Sequence, residues 1–293
     1  MSDVQQIARQ IADATGRPFA PRTTRDVGGG CINNAVVLSD GKEHWFVKRN
    51  QASLLAMFEA ESDGLAAMAE TGSIRVPRPL CTGIAGGQAF IVMEYIPLGG
   101  RGARSSALAG ERLAAMHRAT QACFGWHRDN TIGSTPQPNQ QDPDWPSFWR
   151  RQRLGFQLDL AARNGYRGRL AERGALLLER LPALLDHAPK PSLLHGDLWG
   201  GNMGIADDGS PVIFDPACYY GDREADIAMT ELFGGFGADF HAAYTAAWPL
   251  DAGYRTRKVL YNLYHVINHL NLFGGGYGRQ AEAMIDQLLA QLG

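Results

Sequence analysis

The run His195-Gly196-Asp197-Leu198-Trp199-Gly200-Gly201-Asn202 places a carboxylate five positions ahead of a carboxamide in a glycine-containing turn. Ten residues further on, the apolar stretch Val212-Ile213-Phe214 ends in a second carboxylate, Asp215. Phosphoryl transfer asks little covalent chemistry of a protein. It needs phosphates held in place, charge neutralised by a metal, and a carboxylate that orients the attacking hydroxyl and takes its proton. Asp197 suits the proton acceptor, and its spacing to Asn202 is that of a phosphotransfer catalytic loop. Asn202 and Asp215 then offer the hard oxygen ligands that Mg2+ prefers. An exposed turn would also favour Asp and Asn, but it would not explain the ordered set of partners upstream.

The chain has four lysines, Lys42, Lys48, Lys190 and Lys258, and Lys48 lies in the apolar run Trp45-Phe46-Val47-Lys48. An unpaired ammonium in such a strand is costly, although a strand lysine can also snorkel to solvent. The following segment offers Glu59 and Glu61. Glu61 is favoured because it stands in a Glu-x-x-x-Leu register. Gly28, Gly29 and Gly30 can bring backbone N–H groups close to phosphates, a weak signal taken alone. His195 reads as a brace for the loop rather than a proton carrier. Asp226 is either a helix-surface acid or an anchor for the loop backbone. His265 and His269 have the spacing of a metal pair, but no acid adjoins His265 as in HExxH. A buried polar network or a cleft lining suits them better than zinc. Tyr261, Tyr264 and Phe273 read as core.

The elements that must position these groups change character along the chain. Polar-apolar helical spacing opens it, with Ser2 or Asp3 as N-cap. Strands are expected over 22–27, 35–38, 44–48, 78–83 and 89–95, with a helix over 53–70. Helical periodicity then dominates in 105–120, 146–164, 168–187, 223–233, 237–248, 255–272 and 279–292. The stretch 128–146 reads as a long polar loop. This predicts an α+β, bilobal, protein-kinase-like fold. Residues 1–95 form a small antiparallel-sheet lobe with one long helix, 96–293 a larger helical lobe, and the hinge falls at about 93–98.

A net charge of −2 gives no reason to expect nucleic acid or an anionic membrane. No apolar run has the length of a membrane span, and the N-terminus lacks the pattern of a signal peptide. Cys31, Cys81, Cys123 and Cys218 form no CxxC pair, so zinc and a disulfide framework are not suggested and reduced thiols in the cytoplasm are expected.

With these residues assembled, the chain resembles the fructosamine-kinase (ketosamine-3-kinase) family, relatives of aminoglycoside and choline phosphotransferases. The likeness runs through GGGCINNA (28–35), MFEAESDGL (57–65), IVMEY (91–95), FGWHRDNTIGSTPQPN (124–139), HGDLWGGN (195–202), FDPACYYGDREADIAM (214–229) and LYNLYHVINHLNLFG (260–274). The resemblance implies ATP- and Mg2+-dependent phosphorylation of the 3-hydroxyl of a ketosamine, free or protein-bound. Ribulosamines or erythrulosamines are expected ahead of fructosamines. The unstable 3-phosphate then releases the amine, a deglycation repair. It also implies that Met93, Glu94 and Tyr95 hold adenine, and that Trp199 walls the sugar. Cys31 lies where some members carry a redox-sensitive cysteine, so a monomer with an oxidation-linked dimer is the expected state; a small apolar filler is the plainer role. The alternatives are an aminoglycoside- or choline-type phosphotransferase of the same fold and a nucleotide-binding pseudokinase.

Overall fold

In a computed structural model, described for residues 2–28, 33–100, 102 and 104–292, the chain divides into two units. One comprises Met1–Ser105 with Gly204–Asp215, the other Ser106–Met203 with Pro216–Gly293. The expected phosphate-loop residues Gly29, Gly30 and Cys31 lie outside the described residues.

Helix α1 (Asp3–Thr15) opens on a reciprocal cap. Ser2 Oγ accepts from the Gln5 N–H at 3.3 Å while Gln5 Oε1 accepts from the Ser2 N–H at 2.9 Å. Five strands follow: β1 (Thr23–Val27), β2 (Asn34–Ser39), β3 (His44–Gln51), β4 (Pro79–Ala85) and β5 (Gln88–Glu94). They form an antiparallel sheet in the order β1-β2-β3-β5-β4. Alternation along β3 sends Val47 into a core with Ile7 and Ile11 of α1, Leu38, Phe90 and Val92. Lys48 consequently faces the opposite side, where helix α2 (Leu55–Glu70) follows β3. The unit also takes in residues 204–215, beyond the 1–95 portion marked out in the sequence. The reason is local pairing: Arg75 bridges Val212, Leu98 bridges Ala206, and Ile96, Ala206 and Val212 share a small core.

The second unit is mostly helical: α3 (Ser105–Met116), α4 (Trp145–Phe148), α5 (Phe156–Arg163), α6 (Arg169–Arg180), α7 (Glu224–Leu232), α8 (Ala238–Ala247), α9 (Tyr254–Phe273) and α10 (Tyr277–Ala290). The helix expected over 146–164 changes winding midway, with Trp149–Gly155 in π-helix. Within that segment Arg153 is fully buried with its guanidinium 3.9 Å from the Tyr219 ring centre and 4.7 Å from that of Phe148. It donates to Pro138 O and Asn139 Oδ1, both at 2.6 Å. Aromatic faces and amide oxygens meet this buried cation.

Two sequence expectations change here. The polar stretch 128–146 contains a hairpin of β6 (Asn130–Ile132) and β7 (Thr135–Gln137). It is tied down by amides that hydropathy does not register: Asn130 donates to Cys218 O at 2.8 Å and Gln137 to Ala217 O at 3.0 Å. Phe273 is exposed rather than core, because α9 ends there and Gly274 turns the chain with φ 66°; Tyr261 and Tyr264 are buried as expected.

Near the start of α7, Glu224 is fully buried and accepts from Arg257 Nε at 2.7 Å and Nη2 at 3.1 Å. Burial pushes its carboxyl up, and Arg257 opposes that shift. Arg257→Ala would strand the carboxylate, so a loss of about 3–5 kcal/mol is expected, read as a lower denaturant midpoint with unchanged slope.

Candidate active site

Lys48 sits in a central strand, opposite Ala35 of β2 and Ile91 of β5. Its ammonium contacts Glu61 Oε1 at 2.6 Å and also the Asp215 carboxylate. Glu61, rather than Glu59, is thus the α2 acid that meets it. Burial alone would favour the neutral amine, but the two carboxylates outweigh it and hold Lys48 well above the usual lysine value. Burial, with Asp215 adding to it, pushes Glu61 up against the pull of Lys48. Asp215 follows β10 (Pro211–Ile213) and has φ 59°, the one non-glycine residue with positive φ among those described. Aspartate tolerates this left-handed conformation better than bulkier residues. Such outliers cost about 1–3 kcal/mol and gather at functional sites. Two carboxylates against one ammonium leave a net negative charge, and the Asp215 side chain is 45% exposed. That is a donor set suited to a hard divalent cation such as Mg2+.

At the end of β5, Met93 is buried. Glu94 accepts from Arg75 at 3.0 Å, and the Tyr95 hydroxyl accepts from Arg25 at 2.8 Å. Gly28 follows β1 with open space where a Cβ would stand.

In the second unit the 195–202 loop follows β8 (Ser192–Leu194), which pairs with β11 (Tyr219–Gly221). Asp226 of α7 clamps its backbone: Oδ2 accepts from the His195 N–H at 2.7 Å and Oδ1 from the Gly196 N–H at 2.8 Å. His117 Nε2 lies 3.1 Å from the same carboxylate, with its Nδ1 2.8 Å from the Tyr244 hydroxyl. Burial would raise Asp226, but hydrogen bonding and charge from His117, then His195 and the Gly196 N–H, bring it below the usual carboxylate value. Gly196 turns the chain at φ 82°, and a Cβ there would lie 2.1 Å from Ala217 O. His195 is buried, its Nδ1 accepting from the Asp197 N–H at 3.3 Å. Asn202 Nδ2 donates to Asp197 O at 2.9 Å and to Oδ2 at 3.3 Å. The loop therefore aims its acid through its own amide. The Trp199 ring lies over Gly201, where a Cβ would come within 2.2 Å of it.

His265 and His269 share α9 without a metal-like arrangement. His269 Nδ1 is 2.8 Å from His265 O. Burial pushes His265 down to about 3 and lowers His269 as well, so both imidazoles are neutral near pH 7. The one grouping with metal-like spacing among the described residues is His187, Asp222 and Glu224. Its acids are engaged: Asp222 Oδ2 lies 2.7 Å from His187 Nε2 and accepts from the Tyr261 hydroxyl, while Glu224 holds Arg257. His117 escaped sequence reading because a single histidine at the end of an apolar helix carries no spacing signal. Asp222 and Glu224 precede Asp226 in GDREADIAM, and their buried partners come from segments distant in sequence.

An ammonium paired to a helix carboxylate and a strand-end carboxylate in one unit, and a clamped Asp-to-Asn loop in the other, are the features expected of a phosphotransferase of the protein-kinase-like fold. Structural likeness bears on the same point. A choline kinase from Streptococcus pneumoniae matches 98% of this chain and 99% of its own, with TM-score 0.66 at 13% identity, a likeness of fold alone. A candidate fructosamine-3-kinase from Haemophilus somnus matches with TM-score 0.89 and 31% identity over 97% of this chain and 96% of that one. In sequence, a candidate ketoamine kinase from Synechocystis is 50% identical over 97% of this chain and 96% of its own length. A protein-ribulosamine 3-kinase of Arabidopsis thaliana, named as chloroplastic, is 45% identical over 91% and 82%. The model of the Fructosamine kinase family matches residues 3–291. The chain belongs to the fructosamine kinase family, and it is a kinase. No helix among the described residues is long and apolar enough to cross a membrane.

The clamp makes a signed prediction. Hydrogen bonds to a charged group contribute about 1.5–3 kcal/mol, so Asp226→Asn should lower stability by that order at pH 7. Because the folded carboxyl lies below the ordinary 3.8, its contribution is present above that value and lost as pH falls through the folded value. Urea midpoints of wild type and variant should converge on acidification. A gap unchanged down to the acid limit would refute the clamp's charge dependence.

Proposed function

We propose that this protein is an ATP-dependent ketosamine-3-kinase acting on ribulosamines or erythrulosamines, with fructosamines as poorer acceptors. The observation that carries the reading is Asp197 held by Asn202 in a loop whose backbone is clamped by Asp226. The names of the ketoamine and ribulosamine kinases it matches support the substrate class.

Asp197 orients the sugar 3-hydroxyl and accepts its proton as the oxygen bonds to the γ-phosphorus and the bond to the ADP oxygen breaks. Lys48, kept protonated by its two carboxylates, positions phosphate. Gly28 lies toward the phosphates, and Met93, Glu94 and Tyr95 seat the adenine. Asp215 and Asn202 are the residues that would hold Mg2+ through their oxygens, and the ion would neutralise charge at the phosphates. The His195 side chain supports the loop rather than carrying the transferred proton.

The 3-phosphate so formed stands next to a carbonyl. Proton loss at C1 and expulsion of phosphate from C3, followed by hydrolysis at the C1–nitrogen link, return the free amine. We read the protein as a monomer that repairs glycated amines in the cytoplasm, with an oxidation-linked dimer as the alternative state.

Turnover should be found with ribuloselysine, with 3-phosphate as product, more weakly with fructoselysine and not with kanamycin. Asp197→Asn should lower kcat by about 10²–10⁴-fold with ATP binding retained. Kanamycin as the sole acceptor, or near-normal turnover from Asp197→Asn, would refute the reading.

A further inference from the structure

Resting on that ketosamine reading, we infer that Phe233 and Phe273 form an apolar shelf beside the acceptor loop that binds the methylene stem of a lysine carrying the sugar. The shelf thereby selects lysine-borne over small free ketosamines. Phe233 is 39% exposed and Phe273 63%, and Trp199 in the loop itself is 41% exposed. Burying such rings is favourable, and two of them, Phe233 and Phe273, share one neighbour, so they can cover a ligand together.

The rings are joined through a single residue. His269 lies 4.7 Å from the Phe233 ring centre, 5.5 Å from Phe273 and 5.2 Å from Tyr277. Burial keeps that imidazole neutral near pH 7, so the shelf presents aromatic faces without a charge. Glycines bring it against the loop. Phe233 is followed by Gly234 at φ 76° and Gly235 at φ 98°, and a Cβ on Gly235 would lie 2.5 Å from Gly200 Cα. Gly200 stands next to Trp199 and between Asp197 and Asn202, so the shelf is continuous with the loop that carries the proposed proton acceptor.

The ketosamine nitrogen must lie within a few bonds of the reacting 3-hydroxyl, and the substituent on that nitrogen extends away from it. A lysine puts four methylenes there before the peptide begins. An uncharged aromatic surface matches methylenes, whereas it offers nothing to polyhydroxylated or polycationic carriers. Phe273 closes α9 immediately before a turn, which leaves its ring exposed on the same surface as Phe233.

The test uses two acceptors with the same sugar, ribulosylated lysine in a short peptide and ribulosylated methylamine, which has no stem. In Phe233→Ser and Phe273→Ser, KM for the peptide should rise about four- to fifteenfold, the worth of one to two methylenes withdrawn from contact. Its kcat should hold, and both constants for the methylamine compound should stay at wild-type values. Phe233→Leu, which restores apolar surface, should bring KM for the peptide back to within about twofold. Equal losses on both acceptors, or no loss on either, would overturn the shelf while leaving ketosamine phosphorylation standing. A wild-type protein that phosphorylates neither acceptor would overturn both readings.

Discussion

A lysine ammonium inside a β-sheet persists only where carboxylates come to it. Much of the first unit can be understood from that constraint. Alternation along β3 directs Val47 to the α1 side and Lys48 to the other. α2 places Glu61 against the ammonium, and the chain returns 167 positions after Lys48 to bring Asp215 to the same point. The backbone at Asp215 adopts a left-handed conformation to do so. The ion pair is therefore a packing solution and a chemical one together. It fixes a permanent positive charge and keeps an exposed carboxylate beside it.

The second unit solves a related problem with a backbone rather than a side chain. The 195–196 peptide groups would be buried donors without partners if α7 did not present Asp226 to both. Burial opposes an ionised aspartate, but two N–H groups and His117 reverse the balance. Gly196 is required because both its φ and the nearness of Ala217 O leave no room for a Cβ. Asn202 then sets the carboxylate of Asp197 from within the loop. Positioning by fixed hydrogen bonds is what the proposed general base needs, since its contribution depends on reach before proton affinity.

Around this loop the unit tolerates an unusual load of buried charge. Arg153 is stacked between aromatic rings, Arg257 is closed on Glu224, and Asp222 is held by Tyr261 and His187. Each of these charged groups meets at least one partner from a distant segment. The aromatic residues divide accordingly. Trp145, Trp149, Tyr261 and Tyr264 fill the interior, whereas Trp199, Phe233 and Phe273 are left at the surface.

Local spacing alone revealed the Asp197 to Asn202 loop, the strand lysine with its helix acid and the position of nearly every long helix. These features repeat at short sequence intervals, as pleat, helical turn and loop length require. The short strands β8, β9 (Met203–Ile205) and β11 were not legible, because three residues carry no periodicity. The hairpin within 128–146 is held by side-chain amides, which hydropathy treats as loop. Only the tertiary structure could decide that Asp226 is a clamp rather than a surface acid, and that Phe273 lies outside the core. Each of these depends on which way a side chain faces once distant segments have packed, and a hydrophobic pattern records how often a residue type is buried, not what it is buried against.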